Sequence, residues 1–183
     1  MRTRLTLAIA LTLAAGTAGA APAVVLARVG ARSATPIAVQ SAAIGADRRF
    51  AARNTAFGAD LSPEVNWSPV AGAHAWAVVL EDPDAPGARP FVHWLVWNIP
   101  AKVTRLAEGV TAAGALQGRN GRGGLGYWGP HPPSGAHRYY LQVFALDAPL
   151  SLAAGADRDA LAAVLRGHVL ASGEVVGVVT APR

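Results

Sequence analysis

The chain alternates between short runs of β-branched and aromatic residues and clusters of proline, glycine, asparagine and aspartate. Apolar runs bounded by turn-forming residues are typical of the strands of an all-β domain. The pattern predicts strands at Ile37–Gln40, Glu64–Trp67, Ala75–Glu81, Phe91–Ile99, His137–Leu146 and Val175–Val179. We therefore expect a mainly β fold.

One segment near the C-terminus has the apolar spacing of a helix instead. Leu161, Val164 and Leu165 lie three or four positions apart, which places them on one helical face. Asp157 can cap the start of this helix and Gly167 can end it. The segment predicts a short helix packed on an edge or face of the sheet.

The N-terminal segment resembles a secretory leader. Two arginines precede an apolar stretch at Leu5–Ala15, and small residues follow as far as Ala20. We predict a signal peptide at 1–20, a flexible arm at 21–35 and a β domain at 36–183. Cleavage near Ala20 would place the protein in the periplasm or outside the cell. Retention of the leader as a membrane anchor is the alternative.

Composition narrows the class of protein and of chemistry. Hydrophobic residues make up 52% of the 183 residues and charged residues 15%, which is typical of a globular domain. There is no cysteine, so thiol nucleophiles and Cys-ligated metals are excluded. The basic residues are almost all arginines scattered along the chain without a basic stripe. This distribution argues against a nucleic-acid partner.

Polar residues gather first in a proline-rich turn after the third predicted strand. Asp82 and Asp84 alternate with Pro83 and Pro86 in the sequence DPDAP. Because proline restricts its own backbone and that of the residue before it, both carboxylates sit on a stiff turn. They can bind a ligand, or they can accept hydrogen bonds from the turn itself.

A histidine lies within the fourth predicted strand. Strict alternation places His93 on one face with Phe91, Leu95 and Trp97, and the opposite face then carries Val92, Trp94 and Val96. His93 is either a binding residue or a hydrogen-bonded core residue.

The densest polar cluster is the segment GYWGPHPPSGAHRY at 126–139. Its glycines and prolines predict an irregular loop whose N–H groups are available to an anion. Alternation in the strand that follows places His137 and Tyr139 on one face and Arg138 on the other. The alternative is that His137 and Tyr139 only pack the end of the strand.

Together these clusters supply carboxylates, imidazoles, a phenol and backbone N–H groups. Such a set suits an oxyanion that carries a hydroxyl or ammonium group, because the donors contact the oxyanion and aspartate accepts from the head group. Imidazole charge near neutral pH would make binding depend on pH.

The ordered motifs DPDAP at 82–86, HW at 93–94 and GYWGPHPPSGAHRY at 126–139 resemble the phosphatidylethanolamine-binding protein family, also called Raf kinase inhibitor proteins, in its bacterial branch. The resemblance implies an antiparallel β-sandwich with one or two short peripheral helices and a small anion pocket at one end. The pocket residues it implies are Asp82, Asp84, His93, Trp128, Gly129, Pro130, His131, His137 and Tyr139. Trp128 departs from the small residue common in relatives, which predicts a narrowed pocket mouth or a stacking wall.

The function we expect is that of an exported, non-catalytic binding protein for a phosphate ester or a phospholipid head group, without a cofactor. It would act alone or modulate a protein partner, and a homodimer is left open. One alternative is a metal-free ester hydrolase, in which Asp82 orients His93 as a base while His137 and Tyr139 stabilise an oxyanion. A metal site at Asp82, His93 and His137, with His131 as a spare ligand, is a variant of it. The other alternative is a protease inhibitor or interaction protein with no small ligand.

Overall fold

The computed structural model describes residues 24, 25 and 29–183. The predicted leader at 1–20 and part of the predicted arm therefore lie outside the described residues. Within the described chain, the strands are β1 (Val39–Gln40), β2 (Val65–Trp67), β3 (Ala75–Asp82), β4 (Phe91–Pro100), β5 (Arg105–Leu106), β6 (Leu116–Gln117), β7 (Ala136–Leu146) and β8 (Val169–Thr180). A 3₁₀ turn spans Ala52–Asn54, and helix α1 spans Arg158–Leu165.

The strands form two antiparallel sheets. The larger sheet has the order β6-β4-β3-β7-β8, and the smaller one has the order β1-β2-β5. The predicted mainly β fold is confirmed. All eight residues of β3 are buried because this strand lies in the middle of the larger sheet and both faces of that sheet are covered.

Each face of the larger sheet has its own apolar layer. The face toward the smaller sheet buries Trp76, Trp94 and Leu141. The opposite face packs against α1 and buries Trp97, Phe144 and Leu161 among others. The candidate residues Asp82, His93, His137 and Tyr139 lie at one end of the first face, where the apolar layer gives way to polar side chains.

Helix α1 begins as predicted. The Asp157 side chain accepts a hydrogen bond from the Ala160 N–H at 2.9 Å, which satisfies one of the free donors of the first turn. The helix ends at Leu165, and Gly167 follows with a φ of 80°. A positive φ is the conformation that favours glycine just beyond a helix.

The described part of the predicted arm is packed on the domain, which differs from the loose tether expected. Val25 and Val29 are buried in the layer that contains α1. Arg32 and Ser33 donate backbone hydrogen bonds to β8, at Val169 and Leu170. These contacts cover part of the free edge of β8, a surface that otherwise invites pairing with another chain.

Candidate functional site

Three strands of the larger sheet bring the candidate residues together at one end. Asp82 is the last residue of β3 and pairs with Phe91, the first residue of β4. On the other side of β3, Glu81 pairs with Tyr140 of β7, so Tyr139 and His137 lie beside Asp82. The burial pattern of β7 confirms that His137 and Tyr139 point inward while Arg138 is exposed.

A β-bulge sets the direction of the His93 side chain. Leu80 pairs with Trp94 and Glu81 pairs with Val92, so His93 is the extra residue of β4. The face assigned by strict alternation was therefore wrong: Val92 lies with the α1 layer, and the His93 ring contacts Tyr139 on the sandwich side at 5.2 Å between centroids. A bulge re-aims a side chain in this way because two residues oppose one on the partner strand.

Asp82 and His137 form a buried pair. The Asp82 Oδ2 and His137 Nδ1 atoms are 2.8 Å apart, and the two side chains are 4% and 10% exposed. The other carboxylate oxygen accepts from the Asp84 N–H at 2.8 Å. The expected orientation of His93 by Asp82 is thus wrong, because the carboxylate fixes the ring of His137 instead and leaves its Nε2 as the remaining ring nitrogen.

His93 is held by the loop that covers it. Its Nδ1 donates to the Trp128 carbonyl at 2.7 Å, and the Trp128 N–H donates back to the His93 carbonyl at 2.9 Å. Burial lowers the pKa of His93 to about 4, so the ring is neutral at pH 7. With the proton on Nδ1, Nε2 carries a lone pair and accepts hydrogen bonds. The expected imidazolium donor is therefore wrong for His93.

The lowered pKa of His93 predicts a specific loss of stability in acid. The unfolded chain binds more protons than the folded one between pH 6.5 and pH 4, so the free energy of unfolding falls as the pH falls through that window. From pH 7 to pH 5 the share due to His93 is about 2 kcal/mol. His93→Gln removes this titration, so urea unfolding should show that variant losing about 2 kcal/mol less than the wild type between these pH values. An equal loss in both proteins would contradict a neutral His93.

The Tyr139 hydroxyl is buried and makes no hydrogen bond of normal geometry, although Asp82 and the His131 backbone lie close to it. The side chain is 0% exposed. Burial, and then the charge of Asp82, raise the pKa of Tyr139, so it remains a phenol. An unsatisfied buried hydroxyl costs about 1–3 kcal/mol, and this one lies among titratable groups. Trp67 Nε1 is also unpartnered, but it lies in the apolar layer.

Loop 126–135 is fixed by the chain around it. The Gly129 N–H donates to Asp60 Oδ1 at 2.6 Å, and the Pro130 carbonyl accepts from the Ala56 N–H at 3.0 Å. A Cβ at Gly129 would lie 2.6 Å from the Ala56 nitrogen, so the close approach requires glycine. The expected free N–H groups are therefore absent at Trp128 and Gly129, because both donate within the protein.

Trp128 packs against His93. Its ring stacks on His93 with 5.4 Å between centroids and 7° between planes. Phe91 packs against it at 5.3 Å, and the Arg122 guanidinium lies 4.9 Å from its centroid. The indole thus covers one side of the neutral imidazole and also contacts a charged group.

Two other predicted residues lie at the periphery. The Asp84 carboxylate accepts from the Arg138 N–H, Nε and Nη2 at 2.8, 2.8 and 2.6 Å, and the bond to the Arg138 side chain is the main reason that its pKa is lowered. His131 is exposed and stacks on Phe57 at 4.4 Å. Asp84 thus binds the turn to β7, and His131 lies beside the pocket rim.

Sequence reasoning missed Asp60, Phe57 and Arg122 as neighbours of the site. Asp60 meets Gly129 across 69 positions of sequence, and no local pattern links the two. Arg122 is one of many scattered arginines. A charged side chain that contacts a loop distant in sequence leaves no periodic pattern in the sequence, so sequence analysis cannot identify it.

Residues 24, 25 and 29–183 hold no group of three or more metal-ligating side chains suited to one ion. In the same residues, no helix combines the length and the apolar character needed to cross a bilayer.

Comparison with known proteins agrees with the motifs. The family model described as phosphatidylethanolamine-binding protein matches residues 40–180. The UPF0098 protein of Methanothermobacter thermautotrophicus is 41% identical over 136 residues, covering 71% of this chain and 89% of that protein. UPF0098 protein PYRAB11530 of Pyrococcus abyssi is 36% identical over 148 residues, covering 75% and 82%.

Two solved structures share the fold. The phosphatidylethanolamine-binding protein homologue CT736 from Chlamydia trachomatis superposes with a TM-score of 0.75 at 32% identity, covering 80% of this chain and 99% of that one. YbcL of E. coli, described as a new member of the mammalian PEBP family, gives a TM-score of 0.75 at 29% identity, covering 81% and 100%.

Proposed function

The chain belongs to the phosphatidylethanolamine-binding protein family, and we propose that it is an exported, non-catalytic protein that binds a small phosphate ester in the pocket of Asp82, His93, His137 and Tyr139. The observation that carries this proposal is the buried Tyr139 hydroxyl, a donor that makes no hydrogen bond of normal geometry with the described residues. A bound phosphate oxygen would satisfy it.

The polar groups of the pocket divide into donors and acceptors. Tyr139 donates, whereas the Asp82 carboxylate and the neutral His93 ring accept. A ligand with an oxyanion at one end and an ammonium or hydroxyl group at the other meets both kinds. Phosphorylethanolamine has this pattern, and it serves as the probe.

Titration of the protein with phosphorylethanolamine at pH 7, followed by calorimetry, tests the proposal. We expect saturable binding, and Tyr139→Phe should lower the affinity about tenfold because one hydrogen bond to a charged group is lost. The free energy of unfolding of this variant should stay equal or rise by about 1 kcal/mol, since an unsatisfied hydroxyl is removed. Loss of affinity without loss of stability marks a binding residue rather than a structural one.

Tyr140→Phe is the matched control. Tyr140 is the next residue of β7, is half-buried, and lies near Arg138 on the opposite face of the strand. Its substitution should leave the affinity unchanged. Absence of saturable binding to the wild type, or equal losses in the two variants, would contradict the proposed pocket.

A metal-free ester hydrolase is the second candidate, favoured by the 2.8 Å pair of Asp82 and His137. A carboxylate that holds an imidazole in one orientation is the arrangement of a general base. Turnover of small esters that disappears in His137→Ala but persists in His168→Ala would support hydrolysis. His168 is an apt control because it also pairs with an aspartate, Asp147, at 2.8 Å but is exposed.

A further inference from the structure

Among the described residues of the proposed pocket, no guanidinium group is free to meet a phosphate. His93 is neutral at pH 7, and the Arg138 guanidinium is bound to Asp84 in a two-pronged ion pair. The Asp82 carboxylate lies close to the Tyr139 hydroxyl. A phosphate ester would approach the Asp82 carboxylate, whose His137 partner is already in contact with it, so an additional guanidinium nearby would favour binding.

Arg122 lies next to the pocket wall in the hairpin of residues 118–126. Its guanidinium carbon is 4.9 Å from the Trp128 ring centroid, and the other stacking partner of that ring is His93. Guanidinium groups stack on indole faces because the ring quadrupole attracts the cation. The stacking holds the cation beside Trp128, the ring that also stacks on His93.

The hairpin that carries Arg122 is tied to the bulged strand. The Asn120 side chain accepts from the Arg122 and Gly124 N–H groups and donates to the Gly126 carbonyl. The Gly121 N–H donates to the Val92 carbonyl at 2.7 Å, directly before the bulge at His93. The position of Arg122 is therefore set by the same backbone that orients His93.

Arg122 differs from most arginines of the described chain in its partners. It forms no ion pair with a described carboxylate, and its side-chain contact is the Trp128 ring. Arginines that do form such ion pairs are Arg32, Arg49, Arg53, Arg89, Arg105, Arg138 and Arg158. A guanidinium group that is not paired with a carboxylate keeps its N–H donors available to bind an anion.

We propose that Arg122 is the anion-binding residue of this pocket. Its guanidinium donates hydrogen bonds to the phosphate oxygens of the ligand beside Trp128, while the Tyr139 hydroxyl donates from inside the pocket. This inference rests on the proposed function and names the residue that gives the site its preference for a phosphate. It also specifies the ligand class, a phosphate ester whose charge is met by arginine rather than by imidazolium.

An arginine and an imidazolium would make the affinity for a phosphate ligand depend on pH in opposite ways. Arginine stays charged throughout, and a phosphate monoester gains its second negative charge above about pH 6. Affinity for phosphorylethanolamine should therefore hold or rise from pH 6 to pH 8. An imidazolium-based site would lose affinity over the same range.

Arg122→Gln tests the inference by calorimetric titration with phosphorylethanolamine at pH 6 and pH 8. We expect the affinity at pH 8 to fall about tenfold and any rise between the two pH values to disappear. Arg122→Lys should recover part of the affinity, since it keeps the charge but not the planar fork. Arg119→Gln is the matched control, because Arg119 lies on the same hairpin and donates to the Gly123 carbonyl.

A second titration distinguishes a lipid head group from a free phosphate monoester as the ligand. Glycerophosphorylethanolamine, a diester, carries one negative charge and represents a lipid head group, whereas phosphorylethanolamine represents a free monoester. Tighter binding of the monoester at pH 8 supports arginine as the anchor for a dianion. Tighter binding of the diester, with equal affinities in wild type and Arg122→Gln, would overturn it.

The failures of the two proposals can be told apart. If the wild type binds and Tyr139→Phe weakens binding while Arg122→Gln does not, the pocket stands and Arg122 is not part of it. If the wild type binds neither phosphate probe, the proposed function itself fails. Equal losses in Arg122→Gln and Arg119→Gln would also overturn the assignment, since they would reflect general surface charge.

Discussion

Replacing Arg158 by methionine is expected to lower the free energy of unfolding by about 3–5 kcal/mol, the largest effect on stability that we predict. Arg158 of α1 forms an ion pair with Glu81, which is 0% exposed. The same carboxylate accepts from Gln142 Nε2 at 3.0 Å and from the Val25 N–H at 2.7 Å. Removal of the guanidinium leaves a buried carboxylate without its counter-charge, and that cost is large.

The pair matters to the site because Glu81 is the neighbour of Asp82 in β3. Successive residues of a strand face opposite ways, so Glu81 anchors the strand end to α1 while Asp82 faces the pocket. Urea unfolding of Arg158→Met measures the cost. Arg89→Met is the control: its ion pair with Asp159 is exposed, at 75% and 40%, and its loss should cost less than about 1 kcal/mol. Similar costs for the two variants would contradict a buried, strongly coupled pair.

Replacing Asp82 by asparagine is expected to lower the affinity for phosphorylethanolamine by about thirtyfold or more, the largest effect on binding that we predict. The carboxylate holds His137 through Nδ1 and is the acidic group that we propose meets an ammonium head group. Asparagine still offers a carbonyl to the Asp84 N–H, but it has no charge and can turn an NH₂ group toward His137. The variant loses both the charge and the ring orientation.

A second phosphate ligand tests whether Asp82 contacts the ammonium group. Methyl phosphate lacks the ammonium group, so Asp82→Asn should leave its affinity unchanged or slightly higher. Asp147→Asn is the matched control, because Asp147 pairs with His168 at the same 2.8 Å distance on an exposed surface. An equal loss of affinity for both phosphates would mean that Asp82 supports the fold of the pocket and does not contact the head group.

Much of the fold follows from local patterns. The strands at 75–82, 91–100 and 136–146 were predicted to within one residue at each end, because long apolar runs between prolines and glycines leave few alternatives. β5 and β6 were missed since each has only two residues, too few for a period to appear. β8 begins six residues before its prediction: Gly173 interrupts its apolar pattern, and a Cβ there would lie 2.0 Å from the Ile37 carbonyl.

The candidate residues could be named from the sequence, whereas their arrangement in space could not. The motifs bring Asp82, His137 and Tyr139 to neighbouring strands, and alternation in β7 assigned the inward face correctly. The bulge at His93 could not be read from the sequence, because the extra residue is defined by pairing with β3. For the same reason, the pairing of Asp82 with His137 rather than His93 emerged only from the three-dimensional arrangement.

Nuclear magnetic resonance of the ¹⁵N-labelled protein during titration with phosphorylethanolamine tests the central claim most directly, because it reports both binding and location. Saturable shifts at Asp82, at the His93 ring nitrogens and at Tyr139, all with one dissociation constant, are the result that a phosphate ester pocket predicts. Shifts absent from these residues, or confined to a surface away from the ends of β3, β4 and β7, would contradict it.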